Sequence, residues 1–491
     1  MNLKKILKKK KLNQYILILA IVFLSVIPII RFLLYDSIAI GQGSYYHLRI
    51  AEQITKTGIP NYDDLSNLPY VLNPLHLVLG LFTYVLGEKI TSVLFPFVLG
   101  LLSLFIYLKI LERFNFDPVK KFFVSVILVT SPIFLYTFST INSFSLPIFL
   151  NLLGFYFFIK DEKRFFFFKK NDINFYISIL IFALIPFFGL FNLLITIVIL
   201  LAYASFKKNK LRNFYVLTFI LLLVSLVYSP KAIYPFFFPK DFNLSIVMLS
   251  NVLFELGATG FRVFMLLLVI LGFFKFWAED NKRTPVLIFL VLFILSFFMR
   301  NIIFYLNFVM MIAAAYGLLM LFNTRWKVQL IKNLTLTILI AGLLIASFSS
   351  IGIVSSSLPD KQTVNSLEWL KLNSDENEKV LSYFTNSFWI QKIADKSTFT
   401  DPILRNIPAY ANLFNISSQI FYSRSITQTT DLLKNNNITY IWINKDMKEG
   451  LVWTKPGQGL LFLLENSETF KNIYSRDNIE IWKFNSSRSE D

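Results

Sequence analysis

Cysteine is absent from the 491 residues and histidine occurs only twice. The first absence excludes disulfides and thiolate metal sites. The second leaves His47 without a neighbouring His or Cys in sequence to share a metal ion, so no metal ligand is assigned. Acidic residues are also scarce, 30 against 48 Lys+Arg, for a formal charge of +18. That excess is unevenly spread: residues 354–491 carry 15 basic and 16 acidic side chains, and the remaining 33 basic and 14 acidic ones precede them. A basic surplus confined to the apolar part points to membrane topology and anionic lipid head groups and argues against nucleic acid as a partner. No internal repeat is detectable, which counts against transporter folds built from duplicated halves.

What is plentiful is apolar. The chain is 55% hydrophobic, and apolar runs of 18 or more residues recur over its first 353 positions. Each is long enough to cross roughly 30 Å of hydrocarbon. The sequence therefore predicts a polytopic α-helical membrane protein with about 11 transmembrane helices, at 13–35, 89–111, 121–138, 146–160, 173–188, 190–206, 212–229, 259–277, 284–299, 302–321 and 333–353. Six lysines precede the first run, which places the N-terminus in the cytoplasm. NPLHLVLGLFTYVLG, residues 73–87, is apolar but only 15 residues long, which suits a helix lying in the interface. If it does not cross, 25 basic residues fall in cytoplasmic segments and eight outside; a crossing would reverse that bias. The expected result is a transmembrane domain over 1–353 with external loops at 36–88 and 230–258, then an external domain over 354–491. In that last part NSLEWLKL and TQTTDLLKNN read as helices, and KVLSYF, ITYIWI and IEIWKF as strands. Such alternation predicts a small α/β domain.

The few acids of the external segments are clustered. NYDDLS places Asp63 and Asp64 in the first loop with His47, Arg49 and Glu52. This reads either as a solvated turn with a capping Asp or as a carboxylate serving as base or cation ligand. NVLFE ends on Glu255 at a membrane boundary, either in an ion pair with Arg262 or Arg300 or as a functional carboxylate. Arg300 interrupts two apolar runs joined by almost no loop, so it must snorkel or hold an anion. An arginine fork there suits a lipid phosphate or pyrophosphate. Asn151, Asn192 and Asn307 stand isolated within apolar runs.

This organisation resembles the catalytic subunit of oligosaccharyltransferases, membrane glycosyltransferases of the GT-C fold. GSYYHLR, residues 43–49, is similar to that family's first-loop motif; NVLFE is similar to its second-loop motif, whose Glu contacts cation and acceptor. YFTNSFWI, residues 383–390, resembles the Trp-Trp-Asp-Tyr-Gly signature followed by Tyr-Trp-Ile, and KSTFTD, residues 396–401, the Arg-Thr-Thr…Asp segment after it. The departures are specific. The first-loop Asp is Gly43, the signature's Asp is Thr385, and the segment that supplies the family's acid pair offers only Asn142. Carried over residue by residue, the divalent cation site (Mg or Mn) survives only as Glu255.

The resemblance implies a membrane enzyme moving a sugar or oligosaccharide from a polyprenyl-phosphate or pyrophosphate carrier to an acceptor on the outer face. Glu255, Asp63 and Asp64 are the catalytic candidates. His47, Arg49, Arg300, Arg262, Tyr383 and Trp389 are the substrate-binding ones. The alternatives are a non-catalytic paralogue that binds lipid-linked glycan or a partner, and a lipid or polymer transporter.

Overall fold

A computed structural model describes residues 9–34, 39–66, 68–160, 173–207, 210–232, 260–278, 283–375 and 377–485. It divides into two compact units. The first comprises Met1–Arg31, Asn73–Leu75 and Ile90–Ser356; the second comprises Phe32–Leu72, His76–Lys89 and Ser357–Asp491. The segment predicted as the first external loop therefore clusters with the C-terminal part of the chain.

In the first unit, all the predicted apolar runs fall on helices. Among the described residues four helices are long and apolar enough to cross a membrane: Leu12–Leu34, Glu88–Arg113, Ile302–Asn323 and Gln329–Ser355. Pro118–Val129 and Pro132–Ser139 pass the same test as a pair bent by 64°. The bend is written locally. Thr130 closes the first helix by bonding back to the Val126 carbonyl, and Ser131 starts the second by accepting from the Phe134 amide, with Pro132 in the first helical position. The other apolar helices of this unit are shorter, among them Ser145–Lys160, Leu190–Phe206 and Val263–Trp277.

Small residues set the tightest packing. A Cβ added to Gly272 would lie 1.9 Å from the Ala313 carbonyl oxygen, and one on Gly317 would lie 2.1 Å from that of Leu268. The Val263–Trp277 and Ile302–Asn323 helices thus meet backbone to backbone, as small residues permit between apolar helices. The three asparagines that look isolated in sequence bond to side chains of other helices. Tyr305 donates to Asn192 Oδ1 at 2.6 Å, Thr196 to Asn151 Oδ1 at 2.7 Å, and Asn307 to Ser131 Oγ at 3.0 Å. They act as interhelical polar contacts.

The second unit holds the Gly41–Thr57 helix, a two-strand hairpin of β1 (Tyr62–Asp63) and β2 (Leu68–Pro69), and the 13-residue Pro74–Leu86 helix. At 1.5 Å per residue that helix is about 20 Å long, too short for a perpendicular span. The remainder is built on a sheet ordered β3-β4-β6-β5, from Lys379–Leu381, Ile438–Ile443, Phe470–Arg476 (β5) and Ile479–Phe484 (β6). β3 runs parallel to β4, and the other pairs are antiparallel. Asp477 and Asn478, both at positive φ, turn the β5–β6 hairpin. Helices Lys361–Leu372 and Ile426–Asn435 start on the caps Asp360 and Ser425. Trp442 and Trp453 are fully buried, their indole N–H groups donating to Ser366 Oγ and the Phe421 carbonyl.

Lys392, nearly buried, bridges two carboxylates, contacting Glu52 and, at 2.8 Å, Glu88. Burial would raise the Glu52 carboxyl, but the Lys392 and Lys56 ammoniums outweigh it and hold it at about 2. A depressed carboxylate contributes stability above its unfolded pKa of about 4.3 and loses it as pH falls toward 2. Melting temperature should accordingly drop across that window, and Lys392→Met should remove this part of the acid dependence, as thermal scans at stepped pH will show.

Candidate functional site

The site is built on the Gly41–Thr57 helix of the second unit, whose inner face presents His47 and Arg49, with Tyr46 beside them. Arg49 donates through Nη1 and Nη2 to Asp63 Oδ1 and Oδ2 at 2.6 and 2.7 Å. This is the forked geometry that guanidinium and carboxylate favour. Both side chains are under 9% exposed. Asp63 also accepts from the amides of Leu65 and Ser66, closing the turn after β1. Asp63 is buried, not solvated: it shapes the turn and holds the arginine. Its neighbour Asp64 is exposed.

His47 and His76, distant in sequence, touch. His47 Nδ1 lies 2.8 Å from His76 Nε2, and the Tyr70 hydroxyl lies 3.0 Å from His76 Nδ1. Burial pushes His47 down to about 4; burial, with His47 and Arg49 nearby, holds His76 well below its ordinary value. The Tyr46 ring stands edge-on to both imidazoles, and the Arg49 guanidinium lies 5.7 Å from its centre.

Asp401, at the end of KSTFTD, completes the group. It is 1% exposed; Oδ1 accepts the amides of Ile403 and Leu404, and the Ser66 hydroxyl is its side-chain partner. Burial raises its carboxyl and the Asp63 charge adds to that, while the two amides and the Ser66 hydroxyl oppose it. Arg49 Nε is buried and unpartnered among the described residues. Sequence reasoning placed none of Asp401, Ser66, Tyr46, Tyr70 or His76 in the site. Of these, Tyr46 lay within the quoted GSYYHLR motif and Asp401 carried the Asp-Pro step that begins an Asx turn.

The remaining predicted residues fall elsewhere. Tyr383 is half-buried, its ring 4.6 Å from that of Phe384, over which the Arg405 guanidinium stacks at 4.5 Å. Trp389 is buried and its indole N–H has no partner among the described residues. Arg262 and Arg300 belong to the first unit. Arg262, at φ +62° before the Val263–Trp277 helix, reaches Ser349 Oγ at 3.4 Å. Arg300 is exposed, within electrostatic reach of the Tyr136 hydroxyl. Glu255 lies outside the described residues.

Among the described residues the donor set does not fit a divalent cation. Gly43 offers no ligand, although a Cβ there would meet nothing within 4 Å. Asn142 is spent on its own turn: Nδ2 donates to the Thr137 and Thr140 carbonyls, and Oδ1 accepts the amides of Phe144 and Ser145. Among the described residues no three His, Cys, Asp or Glu side chains gather as a metal site. Asn142→Asp would turn a buried carboxylate toward two carbonyl oxygens, so restoring an acid here should cost about 1–3 kcal/mol. A lowered melting temperature of the detergent-solubilised variant will report it.

No protein-family model matches the chain, and no curated protein matches it in sequence. Solved structures do match. Archaeal oligosaccharyltransferase AglB from Archaeoglobus fulgidus, in complex with an inhibitory peptide and a dolichol-phosphate, aligns over 98% of this chain and 75% of its own at 13% identity, with a TM-score of 0.64. ArnT from Cupriavidus metallidurans bound to undecaprenyl phosphate aligns over 97% and 99% at 10% identity, with a TM-score of 0.52. The fold is that of the GT-C glycosyltransferases. A third GT-C structure, an Archaeoglobus fulgidus oligosaccharyltransferase complexed with Zn and sulfate, aligns over 93% and 71% at 13% identity, TM-score 0.63. At these identities the likeness is one of fold, and a shared fold by itself does not assign a substrate.

Proposed function

We propose that this protein is a membrane glycosyltransferase of oligosaccharyltransferase-like organisation that transfers a sugar or oligosaccharide from a polyprenyl-phosphate or pyrophosphate carrier to an acceptor on the outer face. In this reading all 11 apolar segments cross the membrane, the N-terminus is cytoplasmic, and the domain over 354–491 is external. The observation that carries it is the buried Arg49–Asp63 pair with the buried Asp401 carboxyl, in a fold similar to solved structures that hold dolichol-phosphate and undecaprenyl phosphate.

Chemically, the anomeric C–O bond to the carrier phosphate breaks with its electron pair left on phosphate, a bond forms to the acceptor atom, and the acceptor releases one proton. Positioned cations stabilise a leaving phosphate electrostatically; within the second unit the Arg49 Nε edge is the candidate, and Arg262 and Arg300 of the first unit are separate candidates for holding a lipid phosphate. Asp63 orients Arg49. Asp401, Glu255 and Asp64 are the base candidates. His47, Tyr383 and Trp389 are assigned to substrate binding. No step is routed through a metal.

The loss of acids at Gly43 and Asn142 favours a second reading, a paralogue that binds lipid-linked glycan without turning it over. The test is transfer in membranes from a labelled polyprenyl-linked donor, with Glu255, Asp64, Asp401 and Arg300 each replaced. The enzyme reading expects transfer by the wild type and losses of at least about 100-fold for a true base. Carrier binding with no turnover establishes the paralogue.

A further inference from the structure

The chain has two histidines, and the fold brings both into one hydrogen-bonded line with a tyrosine. We propose that Tyr70, His76 and His47 form a proton relay between the half-buried Tyr70 hydroxyl and the buried His47 ring, carrying the proton that the acceptor loses. The inference rests on the glycosyl-transfer reading for its purpose but not for its existence.

The geometry permits two complementary states. In one, Tyr70 O–H donates to His76 Nδ1, His76 Nε2–H donates to His47 Nδ1, and His47 carries its proton on Nε2. In the other, His47 Nδ1–H donates to His76 Nε2 and His76 Nδ1–H donates to the Tyr70 oxygen. Passing from the second to the first moves one proton along each hydrogen bond, takes one up at His47 Nε2 and releases one to solvent from the half-buried Tyr70 hydroxyl. The count closes, and each ring begins and ends neutral. Neutrality is what the surroundings enforce: both rings are at most 5% exposed, and the Arg49 charge lies close to His76. A lasting imidazolium would be penalised there, whereas a tautomer exchange adds no net charge. The groups around the line are Tyr46 and Arg49 from the same helix as His47, Asp63 from β1, and Asp401 from the C-terminal part, each within electrostatic reach of Tyr46. The Tyr46 ring packs edge-on against both imidazoles and lies under the Arg49 guanidinium.

The test uses the full chain with ¹⁵N-labelled histidine in detergent micelles, where two residues give a spectrum that His47→Asn and His76→Gln assign. The relay predicts that both rings are neutral from pH 8 to pH 5, and that Tyr70→Phe shifts the tautomer balance of His47, which Tyr70 does not touch, as well as that of His76. A His47 spectrum indifferent to Tyr70→Phe, or either ring charged at pH 7, overturns it. In the transfer assay, Tyr70→Phe and His76→Ala should each slow turnover about 100-fold with KM unchanged. The double variant should be no slower than either single one, and added imidazole should partly restore His76→Ala. Additive losses with no imidazole rescue would assign the three residues to packing alone. If the wild type transfers nothing, the functional reading fails by itself, and the tautomer coupling still stands or falls on the spectrum.

Discussion

Asp63→Ala should lower stability by about 3–5 kcal/mol, among the largest effects of any single truncation in the second unit. The cause is the guanidinium left behind: Arg49 is 7% exposed and gives both Nη groups to Asp63, so removing the carboxylate strands a buried charge. Arg49→Ala should cost a similar amount for the mirror-image reason. The informative variant is the double replacement Arg49→Met/Asp63→Leu, which exchanges the pair for apolar side chains of comparable size. It should recover most of the lost stability, since a buried ion pair is often no better than a well-packed apolar one, yet show no transfer. Chemical denaturation in detergent measures the first quantity and the donor assay the second. A double variant that regains stability and still turns over would show the pair to be scaffolding only.

The second large effect belongs to the first unit. Gly272→Ala and Gly317→Ala each place a methyl about 2 Å from a carbonyl oxygen of the opposing helix, too close for any rotamer change to relieve. Only separation of the Val263–Trp277 and Ile302–Asn323 helices can accommodate it. Overpacking of this kind costs typically 1–3 kcal/mol per site, and Gly272→Leu should abolish the monodisperse species in size exclusion. Gly352→Ala is the control, because a Cβ there meets nothing within 4 Å.

How much of this could be read in advance depended on whether the signal was local. The apolar runs mapped onto helices because their length and hydropathy are properties of a single segment. ITYIWI and IEIWKF became β4 and β6 for the same reason, whereas FKNIYSR escaped notice as β5, its buried and exposed positions giving no clean alternation along the sheet edge. Contacts between distant segments left no trace. Nothing in the sequence near His47 announces His76, and nothing near Gly272 announces Ala313. The first-loop motif was informative in a different way. It directed attention to His47 and Arg49, but the partner of Arg49 could be named only once the β1–β2 hairpin had folded back on the helix. Asp401, quoted in a motif and otherwise passed over, matters because its carboxyl is buried beside Ser66 and near the Asp63 charge, a placement that only the fold reveals.

The most direct test of the central claim is turnover in proteoliposomes containing the purified chain, a labelled polyprenyl-phosphate-linked sugar and an acceptor extract from the outer face. The account predicts that the wild type releases the carrier phosphate and moves label to the acceptor, and that Asp401→Asn, which keeps the backbone-amide contacts of Oδ1, folds normally but loses at least about 100-fold in rate. Undiminished transfer by Asp401→Asn, or no consumption of any polyprenyl-linked donor by the wild type, would contradict it.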